Sequence, residues 1–134
     1  KDPTSRLRGV GDLRAVLSAR EPAQLRDVCG TFLNLYQTMW PQESEPRVRE
    51  GLQRCLDVLV TSLQRDFAKH LRRAFPTWLC CMFDTHTEVA QAARKAFAAS
   101  FTTDDKRRGV FRHCQAECLE LFASTLKHSE QTLH

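Results

Sequence analysis

The sequence predicts an all-α protein in which about three HEAT-like helical hairpins (six helices) form a short α-solenoid. Three observations support this fold class. Apolar residues recur every three or four positions along most of the 134-residue chain, which is the period of an amphipathic helix. The alternation that is typical of strands is absent, and only five glycines and five prolines occur. Finally, one pattern returns at an interval of 41 residues, as it does in stacked helical repeats.

Prolines and capping residues mark where the helices begin. Pro3, Pro22 and Pro46 each suit a first helical turn, because the N–H that proline lacks has no partner there. The Thr-Asp-Asp run at 103–105 places a cap and negative charge at the start of the last helix, where the helix dipole favours them. The connection at 40–46 is predicted to be a loop.

Three apolar faces predict the bulkier helices of the hairpins, since their members share one side of a helix. The members are Leu25, Val28, Cys29, Phe32, Leu33, Tyr36, Met39 and Trp40 in residues 22–40; Phe67, Leu71, Phe75, Trp78, Leu79 and Met82 in residues 66–83; and Val110, Phe111, Cys114, Cys118, Leu121, Phe122 and Leu126 in residues 104–126.

The repeat is visible when the helices that precede these faces are aligned. Leu7, Val48 and Val89 occupy equivalent positions, each 41 residues from the next. Three positions later the residues are Val10, Gly51 and Ala92. The alanines of the third copy are explained if a small residue on the packed face lets neighbouring helices approach closely. A period of this length with two helices per copy is typical of HEAT repeats. The alternative is a plain six-helix bundle in which the 41-residue interval is a coincidence.

These patterns predict one domain over residues 1–134. The repeats are expected at about 2–42, 43–83 and 84–128. The first residue is Lys1 rather than methionine, so we expect the chain to be a fragment of a longer protein. No run of 18 apolar residues occurs, so no membrane span is predicted.

The sequence offers no pattern for catalysis, and it has no Gly-rich phosphate loop. Cys114 and Cys118 lie one helical turn apart and could share a zinc ion with Cys80 and Cys81. However, no CxxC pair is present, and the first two extend an apolar face. We therefore interpret the six cysteines as free thiols, most of them buried in the core. We expect no catalytic residue, metal, cofactor or small-molecule ligand, and a metal-dependent enzyme is the least favoured alternative.

Basic side chains give the first indication of function. Arg65, Lys69 and Arg72 have the spacing i, i+4 and i+7, so they are predicted to form one stripe on a helix, opposite its apolar face. Arg73 flanks this stripe.

A second basic cluster, Lys106, Arg107 and Arg108, falls in the opening turns of the last helix. Positive charge opposes the helix dipole there, so a purely stabilising role is less natural. Basic side chains on a helical array suit a phosphate backbone, which they position without reading sequence. A solvated face that only keeps the chain soluble is the alternative.

The stretch WLCCMFDTHTEVAQAARKAFAASF combines a Trp-Leu helix end, an Asp-Thr pair and an alanine-rich helix. It resembles the N-terminal domain of the listerin family of RING-type E3 ubiquitin ligases. The matching positions are Trp78-Leu79, Asp84-Thr85, Ala92-Ala93, Lys95-Ala96-Phe97 and Phe101. The resemblance covers nearly the whole chain and is strongest over this stretch. The family often has a Pro-Pro pair where this chain has Thr102-Thr103.

The resemblance implies a longer cytosolic protein, a curved HEAT/ARM solenoid that ends in a RING domain. That protein would ubiquitinate stalled nascent chains in ribosome-associated quality control. Its N-terminal domain would bind rRNA and ribosomal protein of the 60S ribosomal subunit near the sarcin–ricin loop, and the partner factor NEMF. The paired CxxC zinc ligands of a RING are missing here. We therefore expect a monomeric, non-catalytic docking domain.

Basic residues and the loops at 84–88 and 101–108 supply the candidate contacts. They are Arg65, Lys69, Arg72, Arg73, Asp84, Thr85, Lys106, Arg107 and Arg108. The competing hypothesis is a protein-only HEAT scaffold that binds a partner helix, with no nucleic acid.

Overall fold

A computed structural model describes residues 2–133 of the chain, with the side chains of residues 2–127. Within that range there are α-helices and short 3₁₀ helices and no strand. The α-helices are α1 (Pro3–Ser18), α2 (Pro22–Met39), α3 (Pro46–Leu63), α4 (Leu71–Met82), α5 (Thr87–Ser100), α6 (Asp104–His113) and α7 (Gln115–Leu133), and the 3₁₀ helices are Trp40–Gln42 and Gln64–His70.

The helices form two layers. In one layer α1 packs against α3, and α3 packs against α5; in the other α2 packs against α4, and α4 packs against α7. Each hairpin therefore contributes one helix to each layer, and the predicted all-α solenoid of helical hairpins is confirmed. Within the described part of the chain, no helix combines the length and apolar character that a membrane crossing requires.

The predicted helix starts are confirmed. Pro3, Pro22 and Pro46 each open an α-helix. The Thr103 hydroxyl oxygen accepts a hydrogen bond from the Lys106 N–H at 3.2 Å and so caps α6. These contacts satisfy N–H groups that the helix itself leaves without partners.

Two helices predicted as continuous are interrupted. The predicted helix over 66–83 is wrong in its first part, because a 3₁₀ helix precedes α4. Gln64, where α3 ends, has a positive φ of 50°, which stops α-helix propagation. The predicted last helix is divided at Cys114. There the thiol is buried, and its sulfur lies 3.8 Å from the Leu71 carbonyl oxygen, which fixes the junction against α4.

Some residues assigned to buried faces are exposed. Leu126 is 70% exposed, and Val28, Phe111 and Phe122 are each at least 40% exposed. Phe111 still makes an edge-on contact with Phe75, with ring centroids 5.3 Å apart. The outer side of α6 and α7 therefore carries more apolar surface than the sequence pattern predicts.

The contact between α1 and α3 depends on a glycine. A Cβ added to Gly51 would lie 2.2 Å from Cγ1 of Val10 and 3.3 Å from its Cβ. Real Cβ atoms do not approach that closely, so α1 sits against bare backbone on α3. Val10 and Gly51 are equivalent positions of the 41-residue pattern, and the prediction that small residues allow close approach is confirmed at this pair.

We predict that Gly51→Ala lowers the free energy of unfolding by about 1–2 kcal/mol, because the cost of overpacking exceeds the helix propensity that alanine adds. Urea unfolding followed by circular dichroism measures this change.

Gly9→Ala is the matched control. Gly9 lies on α1, in the same pair of helices, and a Cβ added there would meet no atom within 4 Å. It should raise stability by up to about 1 kcal/mol. The double variant Gly51→Ala, Val10→Ala should recover part of the loss. Equal effects of the two glycine substitutions would contradict the close-approach explanation.

Candidate functional site

A network of arginine–carboxylate pairs runs along the connections that precede α3 and α5. Arg6 of α1 binds Glu43 with both carboxylate oxygens engaged, at 2.7 and 3.0 Å. Arg49 of α3 binds Asp84 in the same way, at 2.8 and 3.0 Å. Arg49 also donates to the backbone carbonyl of Glu43 at 2.8 Å. The two pairs are thus joined through Arg49 into one network.

The network keeps both carboxylates ionised although their side chains are only 3% exposed. Burial alone would raise the pKa of Asp84, but the Arg49 hydrogen bonds and the His86 N–H at 2.9 Å outweigh it and lower the pKa. The balance is the same at Glu43, where burial would raise the pKa but Arg6, the Glu45 N–H and Arg49 together lower it. Asp84 therefore belongs to the structure of the connection, whereas its neighbour Thr85 is exposed.

The predicted single stripe of Arg65, Lys69 and Arg72 is wrong in its geometry. Arg65 and Lys69 lie on the 3₁₀ helix, whereas Arg72 lies on α4. A 3₁₀ helix has three residues per turn, so residues four apart point about a third of a turn from each other. All three side chains are exposed, but Arg72 lines a shallow groove together with Glu117 and Glu120.

Arg73 holds α2 and α4 together. Its Nε donates to Gln37 Oε1 at 3.2 Å, and its Nη2 donates to Asn34 Oδ1. In return, the Gln37 amide donates to the Arg73 carbonyl oxygen at 2.7 Å. These contacts use two of the three guanidinium nitrogens, so Arg73 links the two helices.

The second basic cluster contains two kinds of side chain. Arg107 Nε donates to the Phe101 carbonyl oxygen at 2.7 Å, and so caps the C-terminal end of α5, where positive charge is favoured. Arg108 pairs with Asp105 at 2.6 Å in an exposed ion pair, which contributes little to stability. Lys106 is exposed. Lys106 and Arg108 are thus surface charges, and Arg107 is mainly structural.

The cysteines are placed in the core as predicted. All six are free thiols, and only Cys80 is not fully buried. Burial raises the pKa of Cys114 to about 11 and also raises that of Cys118, so neither is a thiolate at neutral pH. Among the described residues no three metal-binding side chains form a cluster.

The network residues Arg6, Glu43 and Arg49 were not predicted from the sequence as a site. A signal for them exists, because Glu43 and Asp84 are separated by the same 41 residues as the repeat positions. An acidic residue thus recurs at the repeat interval. Each time, an arginine lies on the helix that it contacts, Arg6 on α1 and Arg49 on α3. This pattern could have identified the network from the sequence.

The sequence model of one protein family matches residues 1–134; the family is described as "E3 ubiquitin-protein ligase listerin, N-terminal domain". The chain belongs to this family. The family resemblance predicted from the sequence is confirmed.

Relatives that carry the name "E3 ubiquitin-protein ligase listerin" match at modest identity. That of Drosophila melanogaster is 28% identical over 135 residues, that of Gallus gallus 24% over 134 residues and that of Xenopus tropicalis 29% over 102 residues. They cover 99%, 99% and 70% of this chain. The chain spans only 8%, 8% and 6% of their own lengths. No solved structure matches the chain.

The motif that carries the family resemblance lies largely in the core. The Trp78 indole N–H donates to the Ala93 carbonyl oxygen at 3.0 Å. Phe97 packs edge-on against Trp78 with centroids 6.0 Å apart, and lies 5.3 Å from Phe101. These residues join α4 of the second hairpin to α5 of the third, so this part of the motif packs the two hairpins against each other.

Arg107→Ala is predicted to lower the free energy of unfolding by about 1 kcal/mol, because carbonyl groups at the end of α5 lose a charged donor. Lys106→Ala, one residue away, should change stability by no more than about 0.5 kcal/mol. Thermal or urea unfolding of the two variants provides the comparison. Equal effects of the two substitutions would contradict the assignment of Arg107 as a structural residue and of Lys106 as a surface charge.

Proposed function

We propose that this chain is the non-catalytic docking domain of an E3 ubiquitin ligase of the listerin family, and that it holds the ligase on the 60S ribosomal subunit. In this proposal the domain contacts rRNA near the sarcin–ricin loop together with a NEMF-type factor. Stalled nascent chains are then ubiquitinated in the cytosol, during ribosome-associated quality control, by a RING domain elsewhere in the ligase. Family membership supports the parent activity, and exposed basic side chains support docking.

The proposed docking surface consists of the exposed basic residues Arg65, Lys106 and Arg108. Arg65 lines a groove together with Phe101, and Arg107, between Lys106 and Arg108 in the chain, binds the Phe101 carbonyl oxygen. The exposed charges are thus presented from a 3₁₀ helix and from the first turns of α6, both fixed to the helical layers. Arginine and lysine in such positions suit phosphate contacts, which fix orientation without reading sequence.

Reversal of these charges should weaken binding to the 60S subunit. We predict that the triple variant Arg65→Glu, Lys106→Glu, Arg108→Glu loses most of the co-sedimentation with purified 60S subunits that the unchanged chain shows at low salt. The slope of log affinity against log salt should become shallower by about 2, because two to three phosphate contacts no longer release counterions.

The control variant Arg8→Glu, Arg20→Glu, Lys127→Glu changes net charge equally at exposed positions elsewhere. It should bind nearly as well as the unchanged chain, and circular dichroism should show both variants to be helical. Absence of 60S binding at either salt, or equal loss in both variants, would contradict docking through this surface.

A protein-only scaffold is the second candidate function. Phe83 favours it, because this aromatic side chain is 69% exposed, next to the exposed Thr85, and aromatic residues are enriched in protein interfaces. The guanidinium carbon of Arg94 lies 5.0 Å from the centre of the Phe83 ring. Binding that depends little on salt, and that is lost in Phe83→Ala, would support this alternative.

A further inference from the structure

A groove of about 550 Å³ lies where α3, the second 3₁₀ helix and the end of α5 meet. Its floor is apolar and buried, formed by Val60, Phe67 and Leu71. Ala99 of α5 lines the opposite side and is exposed. The volume is sufficient for one or two large apolar side chains, and concave apolar sites of this size are typical of ligand binding.

The backbone at the rim of the groove is strained. Gln64 lines it and has φ 50° and ψ −118°, a conformation that glycine adopts readily and that is unfavourable for other residues. This conformation ends α3 and begins the 3₁₀ helix, and it places Phe67 in the floor of the groove. Strain of this kind persists where the surrounding structure holds it, and it is common at binding sites.

The charge at the rim is positive. Arg65 is the only charged residue among those that line the groove, and no ion pair within residues 2–127 involves it. Arg107 covers the negative C-terminal end of α5 beside Phe101. An occupant that fits should therefore place a carboxylate near Arg65 and an apolar group on the floor.

We propose that this groove binds a short acidic segment of a protein partner, which inserts a large apolar side chain and pairs an adjacent carboxylate with Arg65. A nucleobase fits the site less well. Its ring nitrogen and oxygen atoms would lose hydrogen bonds to water over Val60, Phe67 and Leu71, and one arginine provides only one phosphate contact. This binding goes beyond docking on the ribosome, and it shares only Arg65 with the proposed docking surface.

Titration of the ¹⁵N-labelled chain with an acetylated Glu-Glu-Leu-Phe-Glu amide peptide tests the proposal by NMR. Amide signals of Ala68, Ala99 and Ser100 should shift at submillimolar to millimolar peptide. Peptides with alanine in place of leucine and phenylalanine, or with lysine in place of glutamate, should shift them much less. A short uridine oligonucleotide serves as the competing class of ligand.

Two variants locate the site. Arg65→Glu should weaken binding of the acidic peptide by about two- to fivefold, the range that an exposed ion pair supports. Ala99→Trp should fill the groove and abolish binding. Arg20→Glu, at an exposed position remote in sequence, should leave the affinity unchanged, and well-dispersed spectra confirm that the variants are folded.

The proposal is overturned if these signals do not move at millimolar peptide, if the lysine peptide binds equally well, or if only the oligonucleotide shifts them. Because the titration contains no ribosome, its failure would leave the docking proposal standing.

Discussion

The largely buried contact between Arg49 and Asp84 is the interaction on which the arrangement of the helix pairs depends. Through this contact α3 binds the connection that leads into α5. Arg49 also donates to the Glu43 carbonyl oxygen, in the connection that leads into α3 itself. Removal of one partner from such a buried pair costs several kcal/mol, because the remaining charge stays desolvated. The close approach of Val10 to Gly51 sets the distance between α1 and α3, and the charged network fixes their register.

This framework determines which basic residues remain available to a partner. Arg49, Arg73 and Arg107 bind carboxylate, amide or carbonyl oxygens of the chain itself. The exposed basic residues project from a framework that they do not stabilise, so their charges can be changed with little effect on folding. The proposed docking surface and the proposed peptide groove share Arg65, so the two proposed partners would compete for this side chain.

Helix periodicity, proline starts and the 41-residue interval were sufficient to predict the fold class and most of the packed positions, but not the exposure of Val28, Phe111, Phe122 and Leu126. They were insufficient for the connection at 64–70, because its positive φ falls on Gln64 rather than on a glycine that would have marked it. The site was harder to predict for a related reason. Composition identifies basic residues but not their partners, so Arg73 and Arg107 resembled surface charges until their hydrogen bonds were known.

A double-mutant cycle on Arg49→Ala and Asp84→Ala tests the central claim most directly. Unfolding free energies of the parent chain, the two single variants and the double variant give the coupling energy between the side chains. A coupling of about 2 kcal/mol or more is predicted, since the pair is largely shielded from solvent (12% and 3% exposed) and hydrogen-bonded in bidentate geometry. A coupling below about 0.5 kcal/mol, typical of exposed pairs, would contradict the account and return Asp84 to the candidates for partner binding.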